Sequence, residues 1–132
     1  MKLWDIMNEA VLWKNIEISL SSLDAMKADI LALTDDMGTI KKAVLVCDEM
    51  LTNIVSYSGA ANAGYFCKRD GENLFIGLYD DGTEFDPTVY TSGEKDPFDF
   101  DSGGMGLIMV SQTVCEWEYR RENGRNTVLM KI

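Results

Sequence analysis

Hydrophobic spacing switches period along this chain, and the order of the switches leaves few architectures open. A helix-spaced stretch from Thr39 to about Tyr57 puts Ala43, Val44, Cys47, Met50, Leu51, Ile54 and Val55 on one stripe. Two-residue alternation follows. Gly64–Arg69 and Leu74–Tyr79 are predicted as antiparallel strands joined by the turn residues Asp70-Gly71-Glu72-Asn73. Met105 to Thr113 returns to a helical period, and Val114–Arg121 with Thr127–Ile132 makes a second hairpin around Glu122-Asn123-Gly124-Arg125. Upstream, Leu3, Met7, Ala10 and Val11 predict a short amphipathic helix over 3–13, and Asn15–Leu20 alternates as a strand. Ser21 or Ser22 then caps a helix from Leu23 to about Asp36, which Gly38 ends. This order predicts an α+β two-layer sandwich: a mostly antiparallel mixed sheet with helices on one face. The chain divides into an N-terminal amphipathic extension, 1–14, and one domain, 15–132.

Composition narrows the function classes. At 132 residues the chain fits a single domain, and no apolar stretch is long enough to cross a bilayer. Asp5, Glu9 and Lys14 interrupt any secretory signal, so a cytoplasmic location is expected. A net charge of −10 repels nucleic acid backbone and anionic lipid, so neither is an expected partner. Such a chain can hold a polyanion only with Mg²⁺ and oriented N–H dipoles in place of a Lys/Arg cluster. The absence of histidine removes the usual zinc sites and the Ser-His-Asp triad. Cys47, Cys67 and Cys115 lack CxxC spacing and read as buried, reduced thiols.

Three short runs carry the chemistry. In Asp48-Glu49-Met50-Leu51-Thr52-Asn53, Glu49 and Asn53 are four apart on a helix, about 40° apart in projection. A carboxylate above an amide oxygen can orient a nucleophile while the amide binds Mg²⁺. The pair can equally be a solvent-facing polar couple. In Asp80-Asp81-Gly82-Thr83-Glu84-Phe85, Asp80 ends a buried strand and can accept from an exocyclic amine such as the adenine N6. Gly82, with no Cβ, would let a flat ring approach. Asp-Asp-Gly is also an ordinary turn. In Gly103-Gly104-Met105-Gly106-Leu107, glycines entering a helix can offer N–H groups to an anion, or simply end a loop. The segment from Asp80 to Gly103, with Pro87 and Pro97, has the length of a lid or binding loop.

Taken in order, these runs resemble the motifs of the GHKL ATPase superfamily, which includes gyrase, the heat-shock chaperone, histidine kinases and MutL. Within it, the chain is most similar to the small bacterial anti-sigma factor serine kinases. Glu49 and Asn53 match the N box. Asp80, Gly82, Phe85 and Asp86-Pro87 match the first glycine box. Gly104, Gly106 and Leu107 match the second, and Thr127 stands where the family places a threonine near the adenine. The resemblance implies a histidine-kinase-like ATPase fold of the Bergerat type, with ATP and Mg²⁺ as cofactors. Asn53 would bind the metal, Asp80 would read the adenine, and Gly104 with Gly106 would cradle phosphate. Residues 86–103 would form an ATP lid. Glu49 would be the base that activates a serine on an anti-sigma factor antagonist. The same domain would sequester a sigma factor, often as a homodimer.

The sequence also departs from the family. The lid segment carries Glu94, Asp96, Asp99 and Asp101, with Lys95 alone opposing them, and Tyr57 stands where many relatives have histidine. Trp4 and Trp13 lie outside the family core and are expected to pack on the domain itself. Two function classes follow: a protein-serine kinase that doubles as an anti-sigma factor, and an ATP-binding partner-switching module that transfers nothing. A detached histidine-kinase catalytic domain ranks third, since the chain holds no histidine to act as acceptor.

Overall fold

The computed structural model describes residues 3–5, 13–90 and 104–132. Among the described residues, five strands form one sheet in the order β1-β2-β3-β5-β4, and every pairing is antiparallel. They are β1 (Lys14–Ile16), β2 (Ala63–Asp70), β3 (Asn73–Asp80), β4 (Glu116–Glu122) and β5 (Arg125–Lys131). Three helices, α1 (Leu23–Leu33), α2 (Met37–Asn53) and α3 (Gly104–Thr113), cover one face. The expected α+β sandwich is present, and the described strands contain no parallel pair.

Alternation along the strands sorts the core. On β3, Leu74, Ile76 and Leu78 face the helices, as do Val128 and Met130 on β5. They pack against Met26 and Ile30 of α1 and Ala43, Val46, Cys47, Met50 and Leu51 of α2. The helix-facing row of β3 ends at Asp80, so a carboxylate terminates a run of apolar residues.

The opposite face is also covered. Leu3, Phe66, Phe75 and Leu129 are buried there, with Trp4 and Trp13 packed against them. Trp13 stands edge-on to Phe66 and Tyr79, at 4.8 and 5.1 Å between ring centroids. The guanidinium of Arg120 lies 4.1 Å from the centre of a Trp4 ring. Trp4 and Trp13 therefore pack on their own domain, as expected. Of the helix expected over 3–13, residues 6–12 lie outside the described residues.

Several boundaries move, each for a local reason. The first strand is shorter than Asn15–Leu20, because Ser22 Oγ donates to Glu17 O and Ser19 caps a 3₁₀ turn at Leu20–Ser22. Gly38 does not end α1. Asp36 instead caps α2, its Oδ2 accepting from Thr39 N and Oγ1, which places Gly38 in the first turn. Past Asn53, α2 widens into a π turn at Ile54–Ser58, stopped by Gly59 in the left-handed region. The β4–β5 hairpin closes on Asn123 and Gly124, both at positive φ (54° and 74°), as a two-residue primed turn requires.

Across the outer face, the Phe66 ring lies over Gly77, its partner on β3, and the Tyr79 ring lies over Gly64. A Cβ at Gly77 would overlap the Phe66 ring, which Trp13 holds in place. Gly77→Ala is expected to lower stability by about 1–3 kcal/mol, since the buried ring has nowhere to retreat. Urea unfolding would read this as a lower midpoint with an unchanged m value.

Candidate functional site

The carboxylate end of β3, the π turn after α2 and the β5 strand surround a cavity of about 590 Å³, counted to its open mouth. Met50, Ile54, Leu78, Phe85, Pro87 and Val128 supply apolar walls. Asp80, Asn126 and Asn53 supply polar groups, and Ser58, Thr83 and Glu84 border it as well. A mostly apolar hollow with a few fixed polar groups is the usual form of a small-molecule site.

Asp80 is 8% exposed. Its Oδ1 accepts from Gly82 N at 2.9 Å and from Asn126 Nδ2 at 3.1 Å. Burial raises its pKa above the ordinary carboxylate value, and the bonds from Asn126 and Gly82 offset part of that rise. Asp81 has a separate task. Its carboxylate accepts from the backbone N–H groups of Ala61 and Asn62 and from the Asn62 side chain, holding the loop before β2.

The turn after β3 is fixed on three sides. Thr83 N donates to Ser58 O, Arg121 donates to Gly82 O at 2.7 Å, and Asn126 Nδ2 donates to Thr83 O at 2.8 Å. Phe85 N donates back to Asn126 Oδ1, which also accepts from Tyr119 OH. Phe85 is thereby placed on the cavity wall. Gly82 also answers a constraint inside the protein. A Cβ there would overlap the backbone carbonyl of Ser58, so the missing side chain lets the turn lie close against the π turn.

A second hollow adjoins the first. It is lined by Glu49, Thr52, Met105, Gly106 and Leu107, and it shares Asn53 and Tyr57 with the cavity. Asn53 thus stands at the junction, one helical turn from Glu49. Gly104 is the first residue of α3, and Gly106 lies in its first turn against the Glu49 carboxylate, which a Cβ at Gly106 would overlap. Leu107 also belongs to the main core. Burial, and then the neighbouring charge of Asp48, raise the pKa of Glu49. That shift moves a carboxylate toward the range useful to a general base.

Thr127 does not join this group. It pairs with Tyr79 in the register that places Asn126 opposite Asp80, so alternation turns Thr127 to the outer face. Asn126, one residue earlier, occupies the cavity position instead. Sequence reading missed it because Asn beside a hairpin turn resembles turn chemistry; the signal available was its two-residue spacing from Val128. The lid residues 91–103, Lys95 included, lie outside the described residues.

The residues present suit a nucleotide with a divalent cation. The cavity has apolar walls for a flat base and a buried acceptor at its end, and the first turn of α3, at Met105 to Leu107, lines the adjoining hollow. Among the described residues no three His, Cys, Asp or Glu side chains gather to cage a metal. A cation held by one amide oxygen and phosphate oxygens matches the usual habit of Mg²⁺.

The raised pKa of Asp80 makes a stability prediction for the ligand-free protein. A carboxyl with a folded pKa above its unfolded value favours folding below the unfolded pKa, and that benefit is lost as pH rises through the folded value. Asp80→Asn keeps the shape and removes the charge. It is expected to melt at an equal or higher temperature than wild type at pH 7. The difference should close below pH 3.8, where both side chains are neutral.

A family profile described as the histidine kinase-like ATPase domain matches residues 23–132. Among solved structures, the chain is similar to the Acinetobacter baumannii histidine kinase AdeS, at 14% identity and a TM-score of 0.52. That match covers 98% of this chain and 72% of the other, and at this identity it speaks for the fold. No curated protein sequence gives a significant match. Among the described residues no helix is long and apolar enough to cross a membrane. With most of its length matched by the profile, and a sheet, helix layer and cavity to go with it, the chain belongs to the histidine kinase-like ATPase domain family.

Proposed function

We propose that this domain binds ATP with Mg²⁺ and serves as a regulator of the anti-sigma factor type. In this reading it phosphorylates a serine on a partner protein, an antagonist of the anti-sigma factor, and holds a sigma factor in alternation with it. A homodimer and a cytoplasmic setting complete the proposal. The observation that supports the nucleotide-binding part of this reading is the placement of buried Asp80 at the end of an apolar cavity that adjoins, at Asn53, a hollow lined by Glu49 and the first turn of α3.

The adenine would lie between Met50, Ile54, Leu78 and Val128, its exocyclic amine donating to Asp80. The phosphates would extend past Asn53 toward Met105 and Gly106, where the N-terminal N–H groups of α3 favour negative charge. When bound, Mg²⁺ on Asn53 would neutralise phosphate charge that this chain has few cations to meet. Glu49 would take the proton of the serine hydroxyl as its oxygen bonds to the γ-phosphorus and the bond to the bridging oxygen breaks, releasing ADP.

A second reading has its own support. Among the described residues, the hollow beside Glu49 is lined by no Lys or Arg. Stabilisation of a transferring phosphoryl group there rests on the metal and on backbone dipoles. That favours a module that binds ATP and switches partners without transfer.

Titration calorimetry with ATP, ADP and GTP, with and without Mg²⁺, tests binding directly. ATP with Mg²⁺ is expected to bind most tightly. Asp80→Ala should weaken it about 10–100-fold, the value of a hydrogen bond to a charged group. Labelled ATP with a candidate antagonist then separates the two readings. Label on a partner serine supports the kinase, and tight binding without transfer supports the switch. Under the first, Glu49→Gln should bind ATP within about threefold of wild type and transfer nothing, since the base acts on the chemical step.

A further inference from the structure

The strongest unassigned group in the cavity is Asn126. It is 4% exposed, and its side chain uses its whole hydrogen-bonding capacity. Nδ2 donates to Asp80 Oδ1 and to Thr83 O, while Oδ1 accepts from Phe85 N and Tyr119 OH. An amide held at four points cannot rotate to suit a ligand.

The consequence falls on Asp80. A carboxylate oxygen has two lone-pair positions. On Oδ1 one is met by Gly82 N–H and the other by Asn126 Nδ2. Among the described residues no bond reaches Oδ2, so that oxygen is the acceptor offered to the cavity. A free carboxylate can read two bases. One oxygen suffices for the exocyclic amine of adenine. Both together can accept the parallel N1–H and N2–H of guanine.

We propose that Asn126 is a specificity-determining positioning residue: by filling Asp80 Oδ1 alongside Gly82 N–H, it restricts Asp80 to a one-oxygen contact that suits adenine and denies guanine its two-point clamp. The inference rests on the nucleotide-binding reading above and deepens it. Asn126 lines the cavity itself, so truncation would open the vacated lone pair toward the ligand.

The test is calorimetry of wild type and Asn126→Ala with the Mg²⁺ complexes of ATP, GTP and inosine triphosphate, which lacks the guanine N2 amine. Wild type should prefer ATP over GTP by about tenfold or more, and should bind GTP and inosine triphosphate equally weakly. In Asn126→Ala the ATP-to-GTP ratio should fall by about tenfold, with GTP gaining over inosine triphosphate. A variant that binds every nucleotide more weakly with an unmoved ratio would show a purely structural role and overturn the proposal. Should Asn126→Ala fail to fold, the wild type still decides. A preference for GTP over inosine triphosphate of about tenfold would mean that Asp80 reads the guanine edge with both oxygens despite Asn126, and would overturn it. Wild type that binds none of the three would sink the nucleotide reading itself, whereas binding with the wrong ratios sinks only the role of Asn126.

Discussion

The cross-strand contact between Asn126 and Asp80 organises the functional end of this domain. The pair sits where β3 and β5 leave the apolar core, in a register that alternation extends along both strands. A carboxylate this deep is costly unless it is hydrogen-bonded. Asn126 meets that need and ties down Thr83 and Phe85 with its remaining capacity. The cavity wall, the orientation of Asp80 and the course of the turn after β3 therefore share one cause. Replacing Asn126 disturbs all three together, and its effects cannot be expected to add simply with those of its neighbours.

Close backbone approach is the second device. Gly82 lets the turn after β3 lie against the Ser58 carbonyl, and Gly106 lets α3 lie against the Glu49 carboxylate. Both contacts converge on the C-terminal half of α2 and the π turn that continues it. The π turn carries Tyr57, which borders both hollows and is 60% exposed. Widening the helix there aligns Ser58 with the β3 turn while Asn53, still in regular helix, keeps its place one turn from Glu49. The cost of an irregular turn is offset by the bonds of Ser58 to Ile54 O, Ala60 N and Thr83 N.

Much of this was legible in the sequence. The apolar stripe on α2, both hairpins and the α3 segment follow from period and turn chemistry. The nearness of Glu49, Asn53, Asp80 and Gly106 came instead from the likeness of their motifs to a known family, and the four line two adjoining hollows that share Asn53. What escaped depended on tertiary context. The π turn has no sequence signature apart from ordinary helix. Gly82 is required by a chain segment more than twenty residues away, which no local rule reports. Thr127 and Asn126 exchanged roles because strand register shifts every side chain to the other face with a one-residue step. Boundaries moved where polar caps, such as Asp36, outranked a glycine as the punctuating residue.

The chain carries a net charge of −10, yet its family binds a polyanion, and the geometry indicates how the two coexist. Of the described basic residues near the site, Arg121 is engaged with Gly82 O, and Arg125 lies over the Tyr79 ring on the outer face. Neither lines the hollow beside Glu49. Among the described residues, attraction for phosphate would then come from groups that add no formal charge, namely the N–H dipoles in the first turn of α3, and from a cation that arrives with the ligand. Such a site would favour the metal complex over the free nucleotide more strongly than a lysine-lined one, because metal-free phosphates would meet Glu49 unscreened.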